Sequence, residues 1–145
     1  IKKEEKIFYF SKSYDNIKIK IKEEFFPPCI IHGLNGLEDG KKRFLFVLLN
    51  FLKKTGYDKE QIEKIIEEWN KKNKQPLKQG YINSQLSWHK RQKDTILPPN
   101  CSNPSYYKDI GACKPDNWCK LITNPVNYSS RKLRILTQND KKRRK

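Results

Sequence analysis

Residues 40–69, GKKRFLFVLLNFLKKTGYDKEQIEKIIEEW, decide the fold. The first half of this stretch is apolar on nearly every side, which predicts a central, buried helix from 40 to 55 that ends at Gly56. Asp58 and Gln61 then have the spacing of a capping box at the start of a second helix. The apolar residues of the second helix recur on one helical face, at Ile62, Ile65, Ile66 and Trp69. Two consecutive helices at the centre of the chain predict a mainly α fold.

Weaker patterns flank these two helices. Alternation of Ile and Lys over residues 17–22 is typical of a half-buried strand, and asparagine followed by proline is typical of a helix start. We expect one folded domain over residues 24–135. The other predicted elements are a short β-hairpin or linker over 1–23, a break at Pro27-Pro28, a loop over 70–79, an ambiguous segment over 80–92, a short helix from Asn103-Pro104 that ends by Gly111, a last helix from Asn124-Pro125 through Leu133, and a solvated basic tail over 136–145.

Length and composition predict a small, strongly basic domain. The chain has 145 residues, of which 32 are Lys or Arg and 16 are Asp or Glu, a formal net charge of +16. Only 35% of the residues are hydrophobic, but 12% are aromatic, which is too many for a disordered chain. The excess of positive charge predicts a polyanionic partner.

The sequence carries no sign of a membrane or export segment. No apolar run approaches the ~20 residues of a membrane span, and no signal sequence opens the chain, so we expect an intracellular protein without a membrane contact. The chain starts at Ile1 and contains no methionine, which predicts that it is a piece of a longer protein.

The four cysteines are the strongest chemical signal. Intervals of 71, 11 and 5 residues separate Cys29, Cys101, Cys113 and Cys119, and no Cys-x-x-Cys pair occurs. Zinc ribbons and fingers build each half-site from a close cysteine pair, so these spacings disfavour them. Two disulfides would suit an exported chain. Prolines, glycine or polar residues flank each cysteine, which predicts thiols on non-repetitive turns, as an iron–sulfur cluster needs. A cluster, a zinc ion, disulfides and unpaired thiols all remain open from spacing alone.

Two groups of basic residues are candidates for binding anions. The first is Lys41, Lys42 and Arg43, in the first turn of the central helix, where cations oppose the helix dipole and backbone amides can hold a phosphate. The second interleaves rings with cations and suits stacking on a base beside phosphate contacts; it comprises Trp88, His89, Lys90, Arg91 and Lys93. The alternative for the first group is solvated lysines with Arg43 paired to an acid. For the second, it is Trp88 filling the core beside an exposed loop.

No catalytic centre of the chain's own is expected. His32 and His89 are the only histidines, and no nucleophile triad, Gly-rich phosphate loop or paired acidic motif occurs. An iron–sulfur DNA-repair enzyme, such as a glycosylase or nuclease, would need a catalytic residue for which Asp94 and Asp109 are the only candidates. A zinc-stapled nucleic-acid-binding module is the other alternative.

Taken in order, these segments resemble the C-terminal iron–sulfur domain of the large subunit of the archaeal and eukaryotic type of DNA primase. The resemblance runs from about residue 24 to 128. Its motifs are Phe26-Pro27-Pro28-Cys29, Lys41-Lys42-Arg43, Phe51-Leu52 with Gly56, the amphipathic helix over 60–69, Gly80-Tyr81, Pro98-Pro99-Asn100-Cys101, and Cys113 with Cys119.

The resemblance implies a small helical domain whose four cysteines bind one [4Fe–4S] cluster. It implies partners as well: template DNA, an RNA primer/DNA duplex, the initiating nucleoside triphosphate, and a primase catalytic subunit or fused catalytic domain. Arg43 matches the family's nucleotide-contacting arginine, and His89 matches the histidine of its second basic loop. The histidine that the family has just before the arginine is absent, because Lys41 and Lys42 stand there. If the source is archaeal, the protein is expected in the cytoplasm, at the nucleoid.

Overall fold

The computed structural model describes residues 20–92 and 96–143, the last four of them by their backbone alone. Over these residues the chain is mainly helical and contains no strand, which confirms the predicted α class. The predicted β-hairpin falls almost entirely on residues 1–19, outside the described part. The helices are α1 (Pro28–Leu34), α2 (Lys41–Lys54), α3 (Lys59–Lys72), α4 (Gln79–Arg91) and α5 (Pro125–Arg143), with short 3-10 helices at Glu23–Phe25, Pro104–Tyr106 and Asn117–Leu121.

Helix α2 is the centre of the domain, as its all-round apolar sequence predicts. It packs against α3, α5 and the 3-10 helix Pro104–Tyr106. Gly40 precedes α2 with φ 75°, and a Cβ there would overlap the side chain of Ile110. Only glycine satisfies both the left-handed backbone and this close approach. At the other end, Gly56 has φ 96°, which confirms the predicted stop. The residues that α2 buries are Phe44, Leu45, Val47, Leu48, Leu49, Asn50, Phe51, Leu52 and Lys54.

Helix α3 starts with the predicted capping box. The Gln61 N–H donates to Asp58 Oδ1 at 2.8 Å, and the Asp58 N–H donates to Gln61 Oε1 at 3.0 Å. At its far end Trp69 is buried, its Nε1–H donates to the Gly33 carbonyl at 2.9 Å, and its ring lies 5.6 Å from that of Phe44. These contacts tie α1, α2 and α3 into one core.

The structure differs from three expectations and assigns the ambiguous segment. Pro27-Pro28 does not break the chain: Pro28 is the first residue of α1, a position where proline's missing N–H costs nothing. Helix α3 runs to Lys72, into the expected loop, and the ambiguous segment 80–92 is helix α4. Helix α5 runs to Arg143, ten residues past the expected end and through most of the expected basic tail, since no Gly or Pro interrupts residues 126–143.

Residues 20–92 and 96–143 include no helix that is both long and apolar enough to cross a membrane.

Candidate functional site

The four cysteines lie around one space, which we call the cysteine cavity. It has a volume of about 150 Å³, and the cysteines share its wall with Tyr107, Lys114, Ile122 and four prolines: Pro27, Pro28, Pro115 and Pro125. Cys29 is the second residue of α1, and Cys119 lies in the 3-10 helix Asn117–Leu121. Cys101 lies in a turn and Cys113 in an irregular segment, both non-repetitive as expected, whereas Cys29 and Cys119 are on helical turns. The fold therefore gathers residues up to 90 positions apart in sequence.

Backbone hydrogen bonds hold the cysteine-bearing segments in place. The Cys101 N–H donates to the Thr123 carbonyl at 2.9 Å, and the Cys119 N–H donates to the Asp116 carbonyl at 3.1 Å. The Tyr107 carbonyl accepts from both Ala112 and Cys113. Because Tyr107 is buried and its hydroxyl donates to the Pro99 carbonyl, it fixes two sides of the cavity at once.

The cavity favours the neutral form of the Cys29 and Cys101 thiols. Burial, reinforced by the neighbouring cysteines, strongly raises the pKa of the Cys29 thiol. The same causes raise the pKa of Cys101 to about 11. Thiolates in this space therefore need a compensating positive charge, which a metal group supplies when it displaces the thiol protons.

The state of the cysteines bears on the alternatives that spacing leaves open. None of the four cysteines is in a disulfide. Within the described ranges, no group of three or more His, Cys, Asp or Glu is arranged to hold a single metal ion. Four thiolates on one zinc ion would draw their sulfurs to roughly 3.8 Å from one another, given Zn–S bonds of about 2.3 Å. The cysteines share a cavity of about 150 Å³, which exceeds the roughly 10–15 Å³ that admits one water. Four thiols around such a space are a donor set of the kind that a zinc ion or an iron–sulfur cluster uses.

The basic residues at the start of α2 all have partners within the protein. Lys41 Nζ donates to the carbonyls of Glu38 and Lys74, and Lys42 Nζ lies 4.7 Å from the ring centre of Tyr81. Arg43 donates to the Ser105 carbonyl at 2.8 Å and lies 3.7 Å from the Asp39 carboxylate. Asp39 is 86% exposed, and such a surface pair contributes at most about 1 kcal/mol, so an anion can compete for the guanidinium.

The residues of the second basic group lie in different environments. Trp88 is 44% exposed and does not fill the core, and Arg91 is exposed as well. Lys90 Nζ contacts the Glu63 carboxylate at 2.5 Å. Lys93 and the alternative candidate Asp94 lie outside the described residues, whereas Asp109 is exposed on a turn.

His89 turns away from that surface into the core. It is only 8% exposed, and its Nε2 lies 2.9 Å from Asn50 Oδ1. Because the amide oxygen only accepts, Nε2 carries the proton of this hydrogen bond. Asn50 is the one polar side chain in the apolar run of α2, and its position in the sequence is the signal that could have indicated a buried partner.

His89 makes the stability of the fold depend on pH. Burial, followed by the charge of Lys53, lowers the pKa of His89 to about 4. The unfolded chain takes up the proton near pH 6.5, whereas the folded chain resists it down to about pH 4. We expect the free energy of unfolding to be highest above pH 6.5 and to fall by about 2–3 kcal/mol as the pH drops to 4.

Urea unfolding of the wild type and of His89→Gln across this pH range checks that prediction. Glutamine can still donate to Asn50 but has no titrating group, so its profile should lack this contribution. Parallel profiles for the two chains would contradict it.

Sequence reasoning missed a larger cavity, which we call the lysine cavity. It has a volume of about 570 Å³ and lies where α2 ends, α3 begins and α4 ends. Its residues are Leu49, Lys53, Tyr57, Asp58, Lys59, Glu60, Ile62, Leu86, His89 and Lys90. Burial and the charge of Lys59 lower the pKa of Lys53, so two cations face each other there. No local motif marks these lysines, because the turn at Gly56 is what brings them together.

Helices α2 and α4 run side by side in the same direction. Lys42 meets Tyr81 at their starts, and Asn50 and Lys53 meet His89 toward their ends. The two basic groups are therefore about 12 Å apart along α2, from the helical rise over eight residues. We call the surface along these two helices, from Lys42 and Arg43 to the lysine cavity, the α2–α4 ridge.

Comparisons with known proteins add no relative. No family model matches the chain. No curated protein and no solved structure shows significant similarity to it.

Proposed function

We propose that this chain is the non-catalytic iron–sulfur domain of a DNA primase. In this role it binds template DNA, the initiating nucleotide and the primer 5′-triphosphate, while a separate or fused catalytic part makes the primer. The observation that carries the proposal is the convergence of Cys29, Cys101, Cys113 and Cys119 on the cysteine cavity. Four thiols from separate segments around one space is the ligand arrangement that a [4Fe–4S] cluster uses.

The composition of the chain supports a stabilising metal group. Hydrophobic residues are only 35% of the chain, and a domain of this size has little apolar area to spare. When bound, the cluster would link α1 to the 101–119 segment through metal–thiolate bonds. Those links stabilise the fold without further apolar burial.

The α2–α4 ridge supports the nucleotide-binding part of the proposal. Its start presents Lys42 and Arg43, and its end opens into the lysine cavity. A volume of about 570 Å³ lies within the range of small-molecule sites. The apolar wall of that cavity, from Leu49, Ile62 and Leu86, suits a base or sugar, and Lys53 and Lys59 suit a phosphate.

Metal analysis tests the cluster. Chain purified without oxygen is expected to be brown and to contain about four irons with a matching amount of acid-labile sulfide. A colourless preparation with one zinc per chain would overturn the cluster and leave a zinc-stapled module.

Binding of a 5′-triphosphorylated primer/template duplex tests the ridge. Affinity should fall steeply with salt, with a log–log slope of about 0.9 for each phosphate neutralised. Lys42→Ala should weaken binding and reduce the slope by about 1. Lys64→Ala removes an exposed lysine of α3 and serves as the charge-matched control, with no expected change. Equal slopes for Lys42→Ala and the wild type would contradict a phosphate contact at this position.

A further inference from the structure

A surface groove is lined by residues that neighbour Cys119 and Ile122 of the cysteine cavity in the chain. We call it the Trp118 groove. It has a volume of about 220 Å³ and is lined by Asn117, Trp118, Leu121 and Arg131. The 3-10 helix Asn117–Leu121 forms one wall and α5 forms the other.

The groove exposes apolar surface to solvent. Leu121 is 72% exposed, the most exposed of the large hydrophobic residues that the structure describes. The indole of Trp118 lines the same groove, and Lys132 Nζ lies 5.9 Å from its ring centre. Lys132 Nζ is also 5.5 Å from the ring centre of Tyr128, so two aromatic rings hold this cation in place.

The charge around the groove is mainly positive. Residues 117–139 contain Lys120, Arg131, Lys132 and Arg134 and no Asp or Glu. Over the described side chains, no ion pair joins any of these four cations to a carboxylate. The nearest acid in sequence, Asp116, accepts from the Tyr128 hydroxyl at 2.7 Å and from the Trp118 N–H at 2.9 Å, and its charge attracts Lys132. Lys120, Arg131 and Arg134 remain as the cations that face no carboxylate among the described side chains.

An aromatic ring, an aliphatic side chain and a guanidinium around one narrow groove suit a flat, π-faced ligand. Flanking ammonium groups suit an anion attached to that ligand. The carboxylates of an acidic peptide would pair with the cations. They have no ring to stack on the indole of Trp118, so such a peptide would leave the groove unfilled. Single-stranded nucleic acid offers both a base and phosphates.

We propose that the Trp118 groove binds one base of single-stranded nucleic acid, stacked on Trp118 and Leu121 and flanked by Arg131. Lys120 and Arg134 then contact the adjoining phosphates. This site is separate from the α2–α4 ridge. It gives the single-stranded template of the function proposed above a place to bind, and in that respect it rests on that function.

The test is binding of an oligothymidylate of about 10 nucleotides to the full, metal-loaded chain. Trp118→Ala should weaken binding roughly 5- to 100-fold, the range for losing one stacked base, and Trp118→Phe should restore much of it. A Trp88→Phe background retains Trp118 and the buried Trp69. Quenching by the oligonucleotide that is present in this background and absent when Trp118→Ala is added reports on the groove. Unchanged affinity for Trp118→Ala together with unquenched Trp118 would overturn the proposal.

A second variant distinguishes a loss of binding from a loss of folding. Leu121 is too exposed to support the core, so Leu121→Asp should keep the metal content and the helical circular dichroism of the wild type while weakening oligothymidylate binding about 10-fold or more. A polyglutamate peptide that competes as well as the oligonucleotide would contradict base recognition. If Lys42→Ala loses binding and Trp118→Ala does not, the Trp118 groove is rejected and the α2–α4 ridge is retained. If Trp118→Ala loses binding and Lys42→Ala does not, the ridge is rejected and the groove is retained.

Discussion

The Cys29→Ser variant is expected to purify without iron and to have a melting temperature about 10–20 °C below that of the wild type. Cys29 is the most deeply buried of the four thiols, and it is the only one that comes from the α1 side of the cavity. A serine hydroxyl cannot replace it as a ligand. Losing it also opens a link between positions 29 and 101, whose closure restricts the unfolded chain by about 4 kcal/mol in a cross-link model. A loss of that size corresponds to about 10–20 °C for a domain of this length.

Iron and sulfide content together with thermal unfolding by circular dichroism measure this effect. Ser102→Ala changes an exposed residue next to Cys101 and should keep both the iron and the melting temperature. Cys113→Ser, at the exposed thiol, separates ligation from packing: it should reduce iron while costing the metal-free fold little. If Cys29→Ser retained the full metal content, the cysteine cavity would not be a metal site.

Gly33→Ala should be among the most destabilising single changes in the domain, costing about 3 kcal/mol or more. A Cβ at Gly33 would overlap the ring of Phe44, which is fully buried and lies against Trp69. The Gly33 carbonyl also accepts from Trp69 Nε1, so α1 cannot move away from α2 without breaking that bond. Overpacking in a closed core costs about 1–3 kcal/mol and more where, as here, the neighbours are fixed.

Gly80→Ala is the matched control. Gly80 lies in the first turn of α4, and a Cβ there would meet no atom within 4 Å. Alanine should stabilise the helix by about 0.5–1 kcal/mol, because it restricts the unfolded chain without a clash. Urea unfolding of both variants should therefore move the midpoint in opposite directions. A Gly33→Ala midpoint equal to that of Gly80→Ala would mean that α1 does not pack on Phe44 in solution.

The sequence predicted the parts of the fold whose causes are local. The all-round apolar run of α2, its stop at Gly56 and the capping box of α3 each depend on residues within a few positions of one another. The start of α1 was missed because Pro27-Pro28 was interpreted only as a break, although proline suits the first helical turn as well.

The candidate site was predictable in its residue types but not in its arrangement. The cysteines identify themselves by flanking residues, yet which of them share a cavity depends on packing between α1, α5 and the 101–119 segment. His89 shows the opposite case: its neighbours suggested a surface position, and the partner that buries it, Asn50, lies 39 residues earlier. The Trp118 groove could not be predicted from the sequence, because no motif marks residues 117–121 and only the packing of α5 places Arg131 beside them.

The wide separation of the cysteines in the chain has a consequence for the order of assembly. Cys101 follows Cys29 by 72 positions, so at typical rates of synthesis Cys29 exists for roughly 4–15 s before its nearest partner in sequence is made. Helices α2 to α4 lie entirely between the two residues and can form from local contacts during that interval. The cysteine cavity is then the last part of the domain to close, and any metal group must be delivered to a chain that is already largely folded.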